Sequence, residues 1–139
     1  MNEQNGTPQL AAPDNHFDIR LSPTTRGARL ARLLAVEWLR PRRDIPYAAT
    51  EAAAQIVAEL TANAATHGRV AGRDFRLALV AHPGVLRIEV SDTRGDDLPE
   101  PHTGRGLLLV EALADRWGVA PGPVPRETVW AELDHSADG

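Results

Sequence analysis

The chain has 139 residues, 42% of them apolar and 24% charged, which is typical of one globular domain. Cysteine is absent, so a disulfide scaffold, a thiolate nucleophile and a cysteine-ligated metal site are excluded. The net charge of -4 combines 15 basic with 19 acidic side chains, and neither half of the chain is strongly basic. We therefore expect no direct nucleic-acid partner.

Composition along the chain predicts one folded domain with short ends. Residues 1–14 are rich in Pro, Gly, Asn and Gln, which predicts a disordered leader. A single domain is expected over residues 15–135 and a flexible tail over 136–139. The opening residues lack the basic and apolar pattern of a signal peptide, and no apolar run approaches the roughly 20 residues of a membrane span. We expect a cytoplasmic protein without membrane contact.

The periodicity of apolar residues predicts strand, helix, helix, strand, strand, helix, strand and strand, in that order. The strands are expected over residues 16–21, 73–81, 85–91, 117–120 and 128–133. The first two helices are expected over about 25–39 and 46–66, and the third follows residues 104–106 and ends at about residue 116. A His-Pro-Gly turn makes the second and third strands a hairpin, and residues 92–101 form a loop. This order predicts an α+β fold, a two-layer sandwich with helices on one face of a mixed sheet.

The end of the second predicted helix carries polar residues at a regular spacing. Glu59, Asn63 and His67 are four residues apart, so they stack along one face of the helix. An amide oxygen is a suitable Mg²⁺ ligand and a carboxylate can accept a proton. The spacing is therefore compatible with a metal-assisted site, whereas the same spacing taken alone is more typical of a solvated polar face capped by His-Gly.

Two further segments could bind a nucleotide. Asp92 directly follows an apolar strand, where a carboxylate can accept hydrogen bonds from an exocyclic amine or form an ordinary Asx turn. Gly104, Arg105 and Gly106 precede an apolar helix, whose free amides can attract phosphate with help from the guanidinium. Glycines before a helix are also common turn residues, so each segment has a purely structural alternative.

The order and spacing of these segments resemble the four nucleotide-binding boxes of the Bergerat-fold (GHKL) ATP-binding domains. Within that superfamily, the strings ELTANAATHG (59–68) and GRGLLLVEALADRWG (104–118) are most similar to the small anti-sigma-factor serine/threonine kinases. The resemblance covers about residues 16–134 and implies an ATP- and Mg²⁺-binding α/β sandwich.

The resemblance also implies a role for each matching residue. Glu59 is the implied general base and Asn63 the implied Mg²⁺ ligand, with His67 on the same helix face. The implied adenine contacts are Asp92, Gly95 and Thr128, and the implied phosphate-covering residues are Gly104, Arg105 and Gly106. The chain departs from the family pattern after Asp92, where Gly95 is out of register, and in the last box, which contains Arg126-Glu127-Thr128.

The function implied by the resemblance is that of a bacterial regulator. Such a protein sequesters a sigma factor, phosphorylates a serine or threonine of an antagonist protein, and forms a homodimer. The alternative is a non-catalytic partner-binding module of the same fold with weak or no ATP binding, which the two departures favour. A third alternative, an α+β domain without a nucleotide, requires all four boxes to be coincidental.

Overall fold

The computed structural model describes residues 15–67, 73–93, 107–121 and 126–136, which form five strands and three helices. In chain order these elements are β1 (His16–Leu21), α1 (Thr25–Leu39), α2 (Tyr47–His67), β2 (Phe75–His82), β3 (Val85–Thr93), α3 (Leu107–Leu113), β4 (Arg116–Pro121) and β5 (Arg126–Asp134). The predicted order of elements is confirmed. The predicted leader and residues 137–139 of the predicted tail lie outside the described residues.

The five strands form one sheet in the order β1-β2-β3-β5-β4, and each pair of neighbours in it is antiparallel. The α+β sandwich with helices on one face is confirmed, but the sheet is not mixed as the sequence predicted. β3 and β4 run in the same direction because a helix connects them, as in a parallel crossover. β5 lies between these two strands, so they never pair with each other.

The core lies between the three helices and one face of the sheet. Alternate residues of β2, β3 and β5 are fully or almost fully buried, namely Phe75, Leu77, Leu79, Leu86, Ile88, Val90, Ala131 and Leu133. The helices contribute a second buried set, namely Ala31, Ala35, Leu39, Ile56, Val57 and Leu60. Among the described helices, none has both the length and the apolar character needed to cross a bilayer.

Several element ends differ from the sequence expectation by one to three residues, and two of the differences affect the candidate site or the strands beside it. α3 ends at Leu113 and not near residue 116, because Arg116 begins β4 and its side chain binds Glu132 and Asp134 of β5. β3 continues through Asp92 to Thr93, so Asp92 is a strand residue and not the first residue of a loop. The antiparallel pairing of β3 with β5 continues to the last residue of β3 and the first residue of β5.

The start of α1 depends on a cap and on a close backbone approach. The Thr24 hydroxyl accepts a hydrogen bond from the Gly27 amide at 2.9 Å, which satisfies one of the free donors of the first turn. A Cβ atom on Gly27 would overlap the carbonyl oxygen of Ser22. Glycine is therefore required here by space, although it lowers helix propensity.

The sheet face opposite the helices carries a continuous series of ion pairs that crosses all five strands. In order its members are Asp18, Arg76, Glu89, Arg87, Glu132, Arg116 and Asp134. The Arg87 guanidinium also lies 4.5 Å from the ring centroid of Trp130. We call this surface the open face. Hydrogen bonds from Arg116 and Arg87 lower the pKa of Glu132 below its ordinary value of 4.5.

The Gly27→Ala substitution is expected to destabilise the protein by about 1–3 kcal/mol, because the added methyl group has no space beside Ser22. Urea denaturation measures this loss. Arg29→Ala, on the exposed side of the same helix, serves as the control and should change the free energy of unfolding by less than about 0.5 kcal/mol. Equal stability of Gly27→Ala and wild type would show that the close approach is absent.

The Glu132→Gln substitution is expected to remove about 1 kcal/mol of stability at neutral pH. The pKa of Glu132 is lower in the folded state than in the unfolded state. The stabilisation that its ionised carboxylate provides is therefore complete above the unfolded-state pKa of about 4.5, and it is lost as the pH falls through the folded-state pKa. Urea denaturation of wild type and variant at about pH 7 and about pH 3 measures the difference. Glu111→Gln, at an exposed position of α3, is the control. An equal difference at both pH values would contradict the assignment.

Candidate functional site

The polar residues of α2 lie beside the buried stripe of that helix. Glu59 and Asn63 are both partly buried and are one turn apart, whereas Leu60 and Ala64 beside them are 2% and 1% exposed. Between them in sequence, the buried Thr61 hydroxyl donates a hydrogen bond to the Val57 carbonyl at 2.7 Å. The two polar side chains therefore occupy the boundary between the core and the surface.

The polar flank of α2 lies on the side of the helix that faces α3. Ala52 lies seven residues before Glu59, which is close to two helical turns, so both residues are on the same flank. Ala49 and Ala52 line a cleft together with Leu113 of α3. The flank that carries Glu59 is therefore on the α3 side of α2, and not on the side that faces α1.

Asp92 is buried on the helix-facing side of β3. It follows Leu86, Ile88 and Val90 at two-residue steps, and these three side chains are in the core. Asp92 itself is only 6% exposed. A carboxylate in such a place needs donors, since burial of an ionised group without them is costly. The structure thus places the Asp92 carboxylate and the polar flank of α2 in facing layers.

Thr128 lies on the opposite side of the sheet from Asp92, so the structure does not bring these two predicted adenine contacts together. Its hydroxyl forms a 2.6 Å hydrogen bond with that of Ser91, its direct partner across the strands. Both hydroxyls belong to the open face, because Trp130 and Glu132 follow Thr128 at two-residue steps. The physical reason is the alternation of β5, in which Ala131 and Leu133 set the helix-facing positions.

Glu127 occupies the helix-facing position that the sequence analysis assigned to no function. It is the direct partner of Asp92 in the β3–β5 register. Opposed side chains of an antiparallel pair have Cβ atoms about 4.5–5.5 Å apart, so two carboxylates stand side by side at this end of the sheet. Counting back from Leu133 in steps of two would have identified this residue.

Of the remaining predicted site residues, only His67 lies within the described ranges. His67 is the last described residue of α2. Gly95, Gly104, Arg105 and Gly106 lie outside the described residues. The segment that contains them connects Thr93, at the end of β3, to Leu107, at the start of α3.

The donor set of α2 is compatible with Mg²⁺ held jointly with phosphate. Among the described residues, no three His, Asp or Glu side chains are grouped as an all-protein metal site. Mg²⁺ does not need such a group, because it retains water and takes phosphate oxygens alongside one or two side-chain oxygens. Asn63 and Glu59 supply oxygens of this type one turn apart.

Comparison with known protein families identifies the domain. Residues 21–130 match the family model described as histidine kinase-like ATPase domain, and the match extends from the end of β1 into β5. No curated protein matches the chain. The family match agrees with the architecture of an antiparallel sheet covered on one face by helices, and it confirms the resemblance to GHKL-type ATPases. The chain therefore belongs to the histidine kinase-like ATPase domain family.

Proposed function

We propose that this ATPase domain binds ATP with Mg²⁺ between the polar flank of α2 and the helix-facing side of β3. The observation that carries the proposal is the burial of Asp92 on that side, facing the layer that contains Glu59 and Asn63. An aspartate at this depth supplies acceptors for the exocyclic amine of adenine. The membership of the ATPase family supports a nucleotide as the ligand.

In this proposal each described residue of the site has one role. Asp92 accepts hydrogen bonds from the adenine amino group, and Asn63 provides an oxygen ligand for Mg²⁺. Mg²⁺, when bound, offsets the negative charge of the phosphates. Glu59 is the proton acceptor, a role that its position one turn from the proposed Mg²⁺ ligand Asn63 supports.

We further propose that the chain acts as an anti-sigma-factor serine/threonine kinase. The substrate hydroxyl of an antagonist protein attacks the γ-phosphorus of ATP in line with the bond to ADP. A new oxygen–phosphorus bond forms as that bond breaks, and Glu59 takes the proton of the hydroxyl. In its other state the protein sequesters a sigma factor in the cytoplasm, as a homodimer. The similarity of ELTANAATHG and GRGLLLVEALADRWG to such kinases supports this assignment.

A second candidate is a sequestering module that binds nucleotide weakly or not at all. The observation in its favour is Glu127, which adds a second carboxylate directly opposite Asp92. Two adjacent negative charges disfavour an anionic ligand unless a cation or a donor lies between them. The two candidates share the fold and differ in whether phosphate is transferred.

Asp92→Ala is expected to abolish the rise in melting temperature that MgATP produces, because the variant lacks the adenine acceptor. A ligand at about 100 times its dissociation constant stabilises the folded state by about 2.7 kcal/mol, a shift that thermal denaturation resolves. Thr128→Val is the matched control on the open face and should retain the full shift. A lost shift in Thr128→Val together with a retained shift in Asp92→Ala would reverse the assignment of the two faces.

Glu59→Gln and Asn63→Ala are expected to fail in different ways. Glu59→Gln should bind MgATP almost normally in calorimetry but transfer phosphate about 10²–10⁴-fold more slowly, since it has lost the general base. Asn63→Ala should bind ATP more weakly in the presence of Mg²⁺, and the difference from wild type should disappear in EDTA.

The rate of phosphate transfer is measured with radiolabelled ATP and purified antagonist proteins that carry an acceptor serine or threonine. Unchanged transfer by Glu59→Gln would exclude the general-base role. Wild-type protein that binds MgATP but labels no antagonist encoded in the same genome would instead support the sequestering module.

A further inference from the structure

The outward face of α1 has an unusual composition for a solvated helix surface. Its residues recur at three- and four-residue steps on the side opposite the buried alanines, namely Arg26, Arg29, Leu30, Leu33, Glu37 and Arg40. Leu30 is 41% and Leu33 is 55% exposed. Two leucines thus lie in the open between arginines on a single face, which we call the α1 stripe.

A groove runs beside this stripe, between α1 and the start of α2. It has a volume of about 530 Å³, within the range of about 300–1,000 Å³ that is typical of ligand pockets. The wall formed by α1 contains Arg32, Leu33 and Val36, and the other wall contains Ile45, Tyr47 and Glu51. Tyr47 is 78% exposed, so three of the four large exposed apolar side chains in the described ranges border this region.

The arginines of the two surfaces of the molecule differ in their partners. Arg76, Arg87 and Arg116 of the open face are all in ion pairs. In contrast, none of Arg26, Arg29 and Arg32 forms an ion pair with another described residue.

The position of these arginines along α1 is also unfavourable for the helix itself. The first turn contains no acidic residue, and Arg26 and Arg29 lie near the positive end of the helix dipole. These arginines do not help to stabilise the helix, and they lie next to exposed leucines and a groove. An acidic binding partner explains their position better than a role in the stability of the fold.

We propose that the α1 stripe and the adjacent groove bind an acidic amphipathic helix of a partner protein. Leucine-type side chains of the partner enter the groove beside Leu33 and Tyr47, and its carboxylates pair with Arg26, Arg29 and Arg32. A helix fits because side chains on one helical face enter a groove between two helices at three- and four-residue spacing. The proposal deepens the partner-binding part of the proposed function, but it does not depend on nucleotide.

A fluorescein-labelled synthetic peptide of about 18 residues, equivalent to about five helical turns, is the probe. Leucines at i, i+3, i+4 and i+7 form its apolar face, and glutamates flank that face. Fluorescence anisotropy with the full-length protein should show saturable binding that weakens when ionic strength rises from about 0.05 to about 0.5 M. The same peptide with lysine in place of glutamate should bind at least about tenfold more weakly.

Matched variants test the location. Leu33→Ser should weaken probe binding about tenfold or more, whereas Leu108→Ser, which alters an exposed leucine of α3, should have no effect. Arg29→Glu should act like Leu33→Ser, with Arg20→Glu on β1 as the control for charge. Retention of the wild-type melting temperature shows that each variant is folded.

The proposal would be overturned if folded wild-type protein did not bind the probe, or if Leu33→Ser and Leu108→Ser weakened probe binding equally. It would also be overturned if a synthetic peptide of residues 1–14 bound the protein more tightly than the probe does. A wild-type dimer that the Leu33→Ser substitution dissociates would overturn it as well. Binding to vesicles of anionic lipid without binding to the probe would also overturn it, in favour of a membrane surface. Each variant is also tested for the MgATP-induced shift. In the wild-type protein, absent probe binding with an intact MgATP-induced shift rejects only the docking surface, whereas probe binding without that shift rejects only the nucleotide site.

Discussion

The two-residue alternation of β3 and its unbroken register with β5 determine the arrangement of this molecule. Leu86, Ile88 and Val90 must face the helices because they form the core, and this direction carries Asp92 into the same layer. The same alternation sends Arg87 and Glu89 to the open face, where the series of ion pairs crosses the sheet. One slip of register would exchange the two surfaces, so packing and site chemistry are fixed by a single constraint.

The layer between α2 and the sheet combines apolar packing with a few polar groups at its edge. Alanines at 53, 54 and 64 let α2 approach its neighbours closely, while Glu59 and Asn63 remain at the boundary of the core. On the other side, the ion pairs of the open face satisfy each other. Polar and charged side chains beside apolar groups thus also lie on the helices, at the polar flank of α2 and along the arginine-rich stripe of α1.

Much of the fold could be predicted from the sequence, because apolar periodicity over α1, α2 and the β2–β3 hairpin is strong and local. The candidate site depends on other signals. Glu59, Asn63 and Asp92 were singled out by their spacing and their place in the predicted elements, and the family resemblance gave them roles. Thr128 received its role from the resemblance of the last box alone, without counting the alternation of β5. That β5 inserts between β3 and β4 depends on long-range pairing, which no local pattern in residues 116–134 reveals.

The central claim is that MgATP binds in the layer between α2 and the helix-facing side of β3. Nitrogen–proton correlation spectra of the ¹⁵N-labelled protein, recorded during titration with MgATP, test it most directly. The account predicts saturable shifts at the amides of Glu59 to His67 and of Val90 to Asp92, with little change at Arg76 or along the outward face of α1. Saturable shifts confined to the open face or to α1, with unchanged signals from Asn63 and Asp92, would contradict it.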